Sequence, residues 1–141
     1  MKRSTYNSKI LVFVFVMLAL LLFYIIMFFR GAKLKKDFEI ASGEILTAFT
    51  TPKNSNVLVR YSFVVNGKIA NGVSSTGCSD SRYYSLLNEV LPSKSMTVVF
   101  QKTNPDNSEM LFSTSDFERY KLTVPDNQKV IVKIIDSLLG K

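Results

Sequence analysis

Twenty consecutive residues, Ile10 to Phe29, read ILVFVFVMLALLLFYIIMFF, with no charge and no Gly, Pro, Ser, Thr, Asn or Gln among them. As a helix rising about 1.5 Å per residue, such a run is about 30 Å long, the thickness of the hydrocarbon layer of a bilayer. A helix that is apolar all round must be covered by lipid or by a large core. The remaining residues, 37 to 141, are too few to wrap it. A cleaved signal peptide has a shorter apolar region and a small-residue cleavage site. Here bulky Phe28 and Phe29 lead directly into charge, and no Cys ends the run to suggest a lipid anchor. The expectation is an uncleaved transmembrane helix over 10–29, with a basic tail at 1–9, a juxtamembrane linker at 30–37 and one small β-rich domain at 38–141.

The formal net charge of +7 suggests nucleic acid until it is located. Lys2, Arg3, Lys9, Arg30, Lys33, Lys35 and Lys36 precede the domain, and no acid accompanies them. Residues 37 to 141 carry 11 basic and 11 acidic side chains. The whole excess therefore flanks the apolar run. There it suits phospholipid head groups, with Lys9, Arg30, Lys33, Lys35 and Lys36 as the membrane flank. A nucleic-acid surface would need the charge on the domain. Three basic residues lie before the helix and four after it, so the positive-inside rule is nearly balanced. Short basic tails stay cytoplasmic, which favours a bacterial inner-membrane protein with its domain on the periplasmic side. The single Cys78 fits either compartment.

The domain reads as α+β. A first strand is expected over Glu39–Thr50, with Gly43 hinting at a bulge. TPKNSN, 51–56, is a turn cluster. Val57, Val59, Tyr61, Phe63 and Val65 alternate with Leu58, Arg60, Ser62 and Val64, the period-two pattern of a strand with one apolar face. Asn66-Gly67 then signals a type I′ hairpin, which would set Phe63 opposite Ala70 and Val64 opposite Ile69. The strand Lys68–Val73 returns. A helix capped by Ser79 or Asp80 follows, with Tyr83, Leu87, Val90 and Leu91 on one face, and Pro92 stops it. Met96–Gln101 and Glu109–Ser113 read as strands around a turn at Asn104–Asn107 that includes Pro105. Residues 113–120 suggest a short helix capped by Ser115. After Pro125, the residues Val130, Ile131, Ile134, Ile135, Leu138 and Leu139 recur at helical spacing, although the β-branched run KVIVKII also permits a strand.

This order of elements resembles a bacterial family, the domain-of-unknown-function family 3592. The matching residues are Gly43 and Ile45; Tyr61, Phe63, Gly67 and Lys68; then Val98, Phe100, Asn104, Pro105 and Leu111. They span about residues 40 to 112. The resemblance implies a small β domain tethered to membrane helices. It implies no activity. Asn66, Gly67, Asn104 and Pro105 are assigned as structural turn residues on their own turn chemistry. The chain departs from the family where Gln101 and Lys102 replace an Asp-Pro pair, where no Gly precedes the last strand, and where an amphipathic C-terminus replaces a second membrane helix.

No histidine is present, which removes the usual general base and the commonest metal ligand. The acids are scattered. Asp106–Glu109 lacks the spaced ligands of a calcium loop and reads as a solvated turn. Cys78, after Gly77 and before a helix start, is the tempting nucleophile, but no base accompanies it. Tyr83 and Tyr84 beside Arg82 could stack on a base or a sugar; more often such a pair divides between core and surface. No phosphate-binding Gly pattern occurs. No catalytic, cofactor-binding or metal-binding residue is therefore assigned. Three functions remain. One is a membrane-anchored module that binds another protein, of the immunity or envelope-accessory kind. The second is a subunit acting through the helix, which lacks small-residue packing motifs. The last, an enzyme, is disfavoured.

Overall fold

The computed structural model describes residues 3–51, 54–79, 82–92 and 94–140. The chain forms two units, residues 1–36 and Asp37–Lys141. The first is one helix, α1, Arg3–Lys36. Every residue from Ile10 to Lys33 is exposed. The helix does not stop at Phe29. Residues 30–36 of the linker expected at 30–37 continue it, because Arg, Ala, Lys and Leu are good helix formers and one Gly31 costs only about 1 kcal/mol. Lys33, Lys35 and Lys36 fill its last turn, where positive charge meets the negative end of the helix dipole.

The second unit is α+β. Its five strands are β1 (Phe38–Thr51), β2 (Asn54–Val65), β3 (Lys68–Ser75), β4 (Ser95–Gln101) and β5 (Asn104–Met110). They form one antiparallel sheet in the order β3-β2-β1-β4-β5. Helices α2 (Arg82–Val90), α3 (Thr114–Arg119) and α4 (Lys129–Leu138) complete it, with a 3-10 turn at Asp126–Gln128 before α4. The turn cluster expected at 51–56 is narrower, since Thr51 already pairs with Asn54; Pro52 and Lys53 lie outside the described residues.

Alternation along β2 is realised as read. Val57, Val59, Tyr61 and Phe63 are buried on the inner face, while Arg60 and Val64 are exposed. The hairpin register is also as read, with Phe63 opposite Ala70 and Val64 opposite Ile69. Its turn uses positive φ at Asn66 (52°) and Gly67 (75°), the type I′ geometry. β1 bulges at Leu46, not at Gly43, and at a second irregularity, between Phe49 and Thr51, the extra residues, 55–57, lie on β2. Gly43 is instead a point of close approach: a Cβ there would stand 2.5 Å from Val98.

The sheet curls until its two edge strands, β3 and β5, lie side by side. They share no ladder. The backbone N–H of Met110 donates to Ser74 Oγ at 2.9 Å, Ser74 donates to the Tyr61 hydroxyl at 3.3 Å, and that hydroxyl lies 3.1 Å from Ser108 Oγ. The Tyr61 ring crosses over Gly72, its partner on β3. Inside the curl lie Ile45, Ala48, Met96, Val98, Phe100 and Met110, all buried. The rings of Tyr61, Phe63 and Phe100 follow one another at 6.1 and 5.4 Å. α2 runs beside β1, where the Tyr84 hydroxyl donates to Ala48 O at 3.2 Å. Leu87 and Leu91 of its expected face are fully buried. Of the two expected caps, Ser79 lies three residues before the start of α2 at Arg82, and Asp80, like the side chain of Tyr83, lies outside the described residues.

The outer face of β4 is buried too, and this forms a second core. Thr97 N and Oγ1 both donate to Gln128 Oε1, at 3.2 and 3.0 Å, which ties the C-terminal segment over the outer face. Phe112, Phe117, Tyr120, Ile131, Val132 and Ile135 are buried here. The C-terminal element is a helix, with one correction to its face: Val130 is 70% exposed and Val132 takes its place. Gln128, Ile131, Val132 and Ile135 form the i, i+3, i+4, i+7 stripe. α3 is capped by Ser113, not Ser115. Ser113 Oγ accepts from Asp116 N, and the Asp116 carboxylate accepts from Ser113 N at 3.0 Å, a reciprocal capping box.

Candidate functional site

Of the residues assigned to structural turns, Asn66 and Gly67 stand where expected. Asn104 and Pro105 do not. The chain reverses at Lys102–Thr103, so Asn104 pairs with Gln101 as the first residue of β5. Phe100 next pairs with Ser108, which leaves Pro105, Asp106 and Asn107 as a wide bulge. Asn104–Asn107 is the most turn-like tetrapeptide of this stretch, yet the reversal falls before it. The bulge uses that tetrapeptide instead, and Pro105 sits where its missing N–H breaks no ladder bond. Asn107 folds back and donates to Gln101 Oε1 at 3.1 Å. The membrane-flank residues Lys9, Arg30, Lys33, Lys35 and Lys36 all belong to α1.

The densest polar group was not foreseen. Arg119 spans Glu109 at 2.7 Å and Asp116 at 2.5 Å, and the Tyr120 hydroxyl donates to the second Glu109 oxygen at 2.6 Å. Burial, followed by that hydrogen bond and the charge of Glu109, pushes the Tyr120 hydroxyl well above its usual range. The cluster braces α3 against β5. Arg119 lies three residues after Asp116 on α3, a spacing visible in sequence, but Glu109 joins only through the fold.

Cys78 is buried. Its backbone N–H donates to Thr76 Oγ1 at 3.3 Å, and its carbonyl accepts from Val57 N at 2.8 Å. Burial pushes its thiol up, with Thr76 opposing this weakly. α2 begins four residues later, at Arg82, so no helix end stabilises a thiolate there. An open hollow of about 540 Å³ lies between α3 and the start of α4, lined by Phe117, Leu122, Val124, Asp126 and Lys129 among others. Its Asp126 and Lys129 pair with each other at 2.6 Å. Among the described residues, no three His, Cys, Asp or Glu side chains are grouped to hold a metal.

Two surface features stand out. α1 is long and apolar enough to cross a membrane and lies near the N-terminus. The outer face of β1, β2 and β3 carries exposed Leu46, Val64, Ile69 and Val73, with the Arg60 guanidinium 5.5 Å from the ring of Phe49. Compared with family models, curated proteins and solved structures, the chain found no match.

Proposed function

We propose that the chain is a single-pass membrane-anchored protein of the bacterial inner membrane, whose periplasmic β domain binds another protein. The observation that carries the anchor is α1, apolar for 20 residues and exposed from Ile10 to Lys33, joined to a unit with its own two cores. Lipid is the solvent that suits such a helix. A cleaved signal of the same composition is the competing reading. The resemblance of residues 40–112 to family 3592, read from the sequence, is a second ground for this reading. For the partner, support comes from the uneven covering of the sheet. The C-terminal segment covers the outer face of β4, while Leu46, Val73 and the Arg60–Phe49 pair stay open on the neighbouring strands. Addition of a partner strand at an edge is less favoured, because β3 and β5 lie against each other.

The fragment Asp37–Lys141, used as bait on extracts of the native host, tests this. A partner retained at low and moderate salt, and lost with Val73→Glu or Leu46→Glu, supports the reading. Capture by the full-length protein alone, with nothing held by the fragment, moves the interaction to α1.

A further inference from the structure

The chain holds two Asn-Gly pairs, Asn66-Gly67 and Asn71-Gly72, both on the β2–β3 hairpin. Asparagine is a chemically labile residue, and most so before glycine, where no Cβ hinders attack by the glycine nitrogen on the preceding side chain. As dipeptides the two are equal, and the fold sets them apart. Asn66 and Gly67 are the two central residues of the type I′ turn, both exposed, with φ of 52° and 75°. They stand outside the ladder, which begins at Val65 and Lys68. A Cβ built on Gly67 would meet nothing within 4 Å, so the peptide between the two has room to turn. Asn71 is also exposed, but Gly72 pairs with Tyr61 and lies under that ring, which a Cβ would strike. The pair that closes a two-residue hairpin exchanges both backbone bonds, and every second pair repeats this, which makes Tyr61–Gly72 a bonded pair. The Gly72 nitrogen is thus held in the ladder, beneath a ring whose hydroxyl is tied to Ser74 and Ser108.

We propose that Asn66 is a site of spontaneous deamidation in the folded protein and that Asn71 is protected from it. The Gly67 backbone nitrogen, its proton taken by hydroxide, attacks Cγ of Asn66. The new C–N bond replaces the Cγ–Nδ2 bond, and Nδ2 takes a proton from water and leaves as ammonia. Water then opens the cyclic imide at either carbonyl, which yields aspartate or isoaspartate. Water and hydroxide are the only co-reactants. Attack requires the Asn66–Gly67 peptide to rotate out of its turn geometry. An exposed loop tip opens at almost no cost, whereas Gly72 is released only when the β2–β3 pairing opens. The product changes the hairpin. Aspartate adds a negative charge next to Lys68. Isoaspartate routes the backbone through Cβ and lengthens a turn of two residues, which works against the register that sets Val64 opposite Ile69.

Trypsin separates the two positions. It cuts after Arg60, Lys68 and Arg82, so Tyr61–Lys68 carries Asn66 and Ile69–Arg82 carries Asn71. The full-length protein in detergent micelles is held at mildly alkaline pH in water enriched in heavy oxygen, then digested in ordinary water. Each conversion in the intact chain fixes a heavy oxygen, which mass spectrometry distinguishes from losses during the digest. A parallel sample in guanidinium chloride supplies the unfolded rate at each position. The folded rate divided by the unfolded rate should be at least about tenfold larger for Asn66 than for Asn71, since a loop tip opens far more often than a paired strand. Equal ratios, or a larger one for Asn71, overturn the assignment. So does an Asn66 that stays intact in the folded chain over a period in which the unfolded chain converts.

Discussion

The ring of Tyr61 occupies the space that a side chain at position 72 would need: a Cβ on Gly72 would stand 2.3 Å from the Tyr61 ring. From that position the hydroxyl reaches Ser74 on β3 and Ser108 on β5. One residue of β2 thus links both edges of the sheet, and only glycine opposite lets it do so. Gly72→Ala is expected to cost about 1–3 kcal/mol, by overpacking. Tyr61→Phe keeps the ring but removes the hydroxyl, at about 1–2 kcal/mol. Urea unfolding of Asp37–Lys141 measures both. In a Tyr61→Val background the Gly72→Ala penalty should largely vanish, a coupling the double-mutant cycle reads directly.

Gln128 takes two hydrogen bonds from Thr97, one from backbone and one from side chain. Gln128→Leu preserves bulk but strands a buried backbone N–H and a hydroxyl. The expected loss is about 2–4 kcal/mol, from two groups at about 1–2 kcal/mol each. Thr97→Val removes only the hydroxyl and should cost less. Equal stability of the two variants would mean that the C-terminal segment is not held by this contact.

These two relationships mark where the sequence is legible. The β2–β3 hairpin could be read to the residue because its signals are local: strict alternation, then Asn-Gly. The β4–β5 hairpin could not. Asn104-Pro105-Asp106-Asn107 has turn chemistry, but a wide bulge uses the same residues, and only the pairing with β4 decides between them. The linker after Phe29 was misplaced because composition marks the end of the apolar run, whereas helix propensity continues to Lys36. Val130 and Val132 are alike in type, and the helix phase that buries one and exposes the other is set by Gln128 meeting Thr97. The curl of the sheet has no sequence signal apart from Gly43 and Gly72, whose partners are unknown until the strands are paired.

Alkaline pH should unfold the domain partly through Tyr120. Its titration is raised above the ordinary value of 10.0 by burial first and by Glu109 second. A group whose value is raised by folding contributes stability that is full below its unfolded value. That stability is lost as pH rises past about 10, toward the folded value. Tyr61 is raised in the same direction, also by burial. Tyr120→Phe should lower stability at neutral pH and flatten its fall above pH about 10. Denaturant midpoints for the two proteins across that range measure the difference; parallel curves would count against it.

Cys78 should be a slow thiol. It is buried, and burial holds its titration above the usual range, so little thiolate is present at neutral pH. Alkylation of the native domain by iodoacetamide is expected to lag far behind that of the denatured chain. Cys78→Ser should leave partner capture unchanged. Rapid native labelling would show that the loop from Thr76 to Cys78 opens.

Full-length protein should stay with membranes through both high-salt and carbonate washes. Seven flanking basic residues contribute about 1 kcal/mol each near an anionic surface, and salt screens that attraction. The 20 apolar residues are insensitive to salt: Leu, Ile, Phe and Val each favour the bilayer centre by about 0.3–0.6 kcal/mol relative to translocation. They also account for most of the run. Replacing Leu20 and Leu21 with Arg adds about 5–7 kcal/mol against insertion and should release the chain into the soluble fraction. Salt release of the intact wild-type chain would mean a peripheral attachment through the basic flanks. A mature protein lacking residues 1–36, detected by mass spectrometry, would mean that the helix is a cleaved signal.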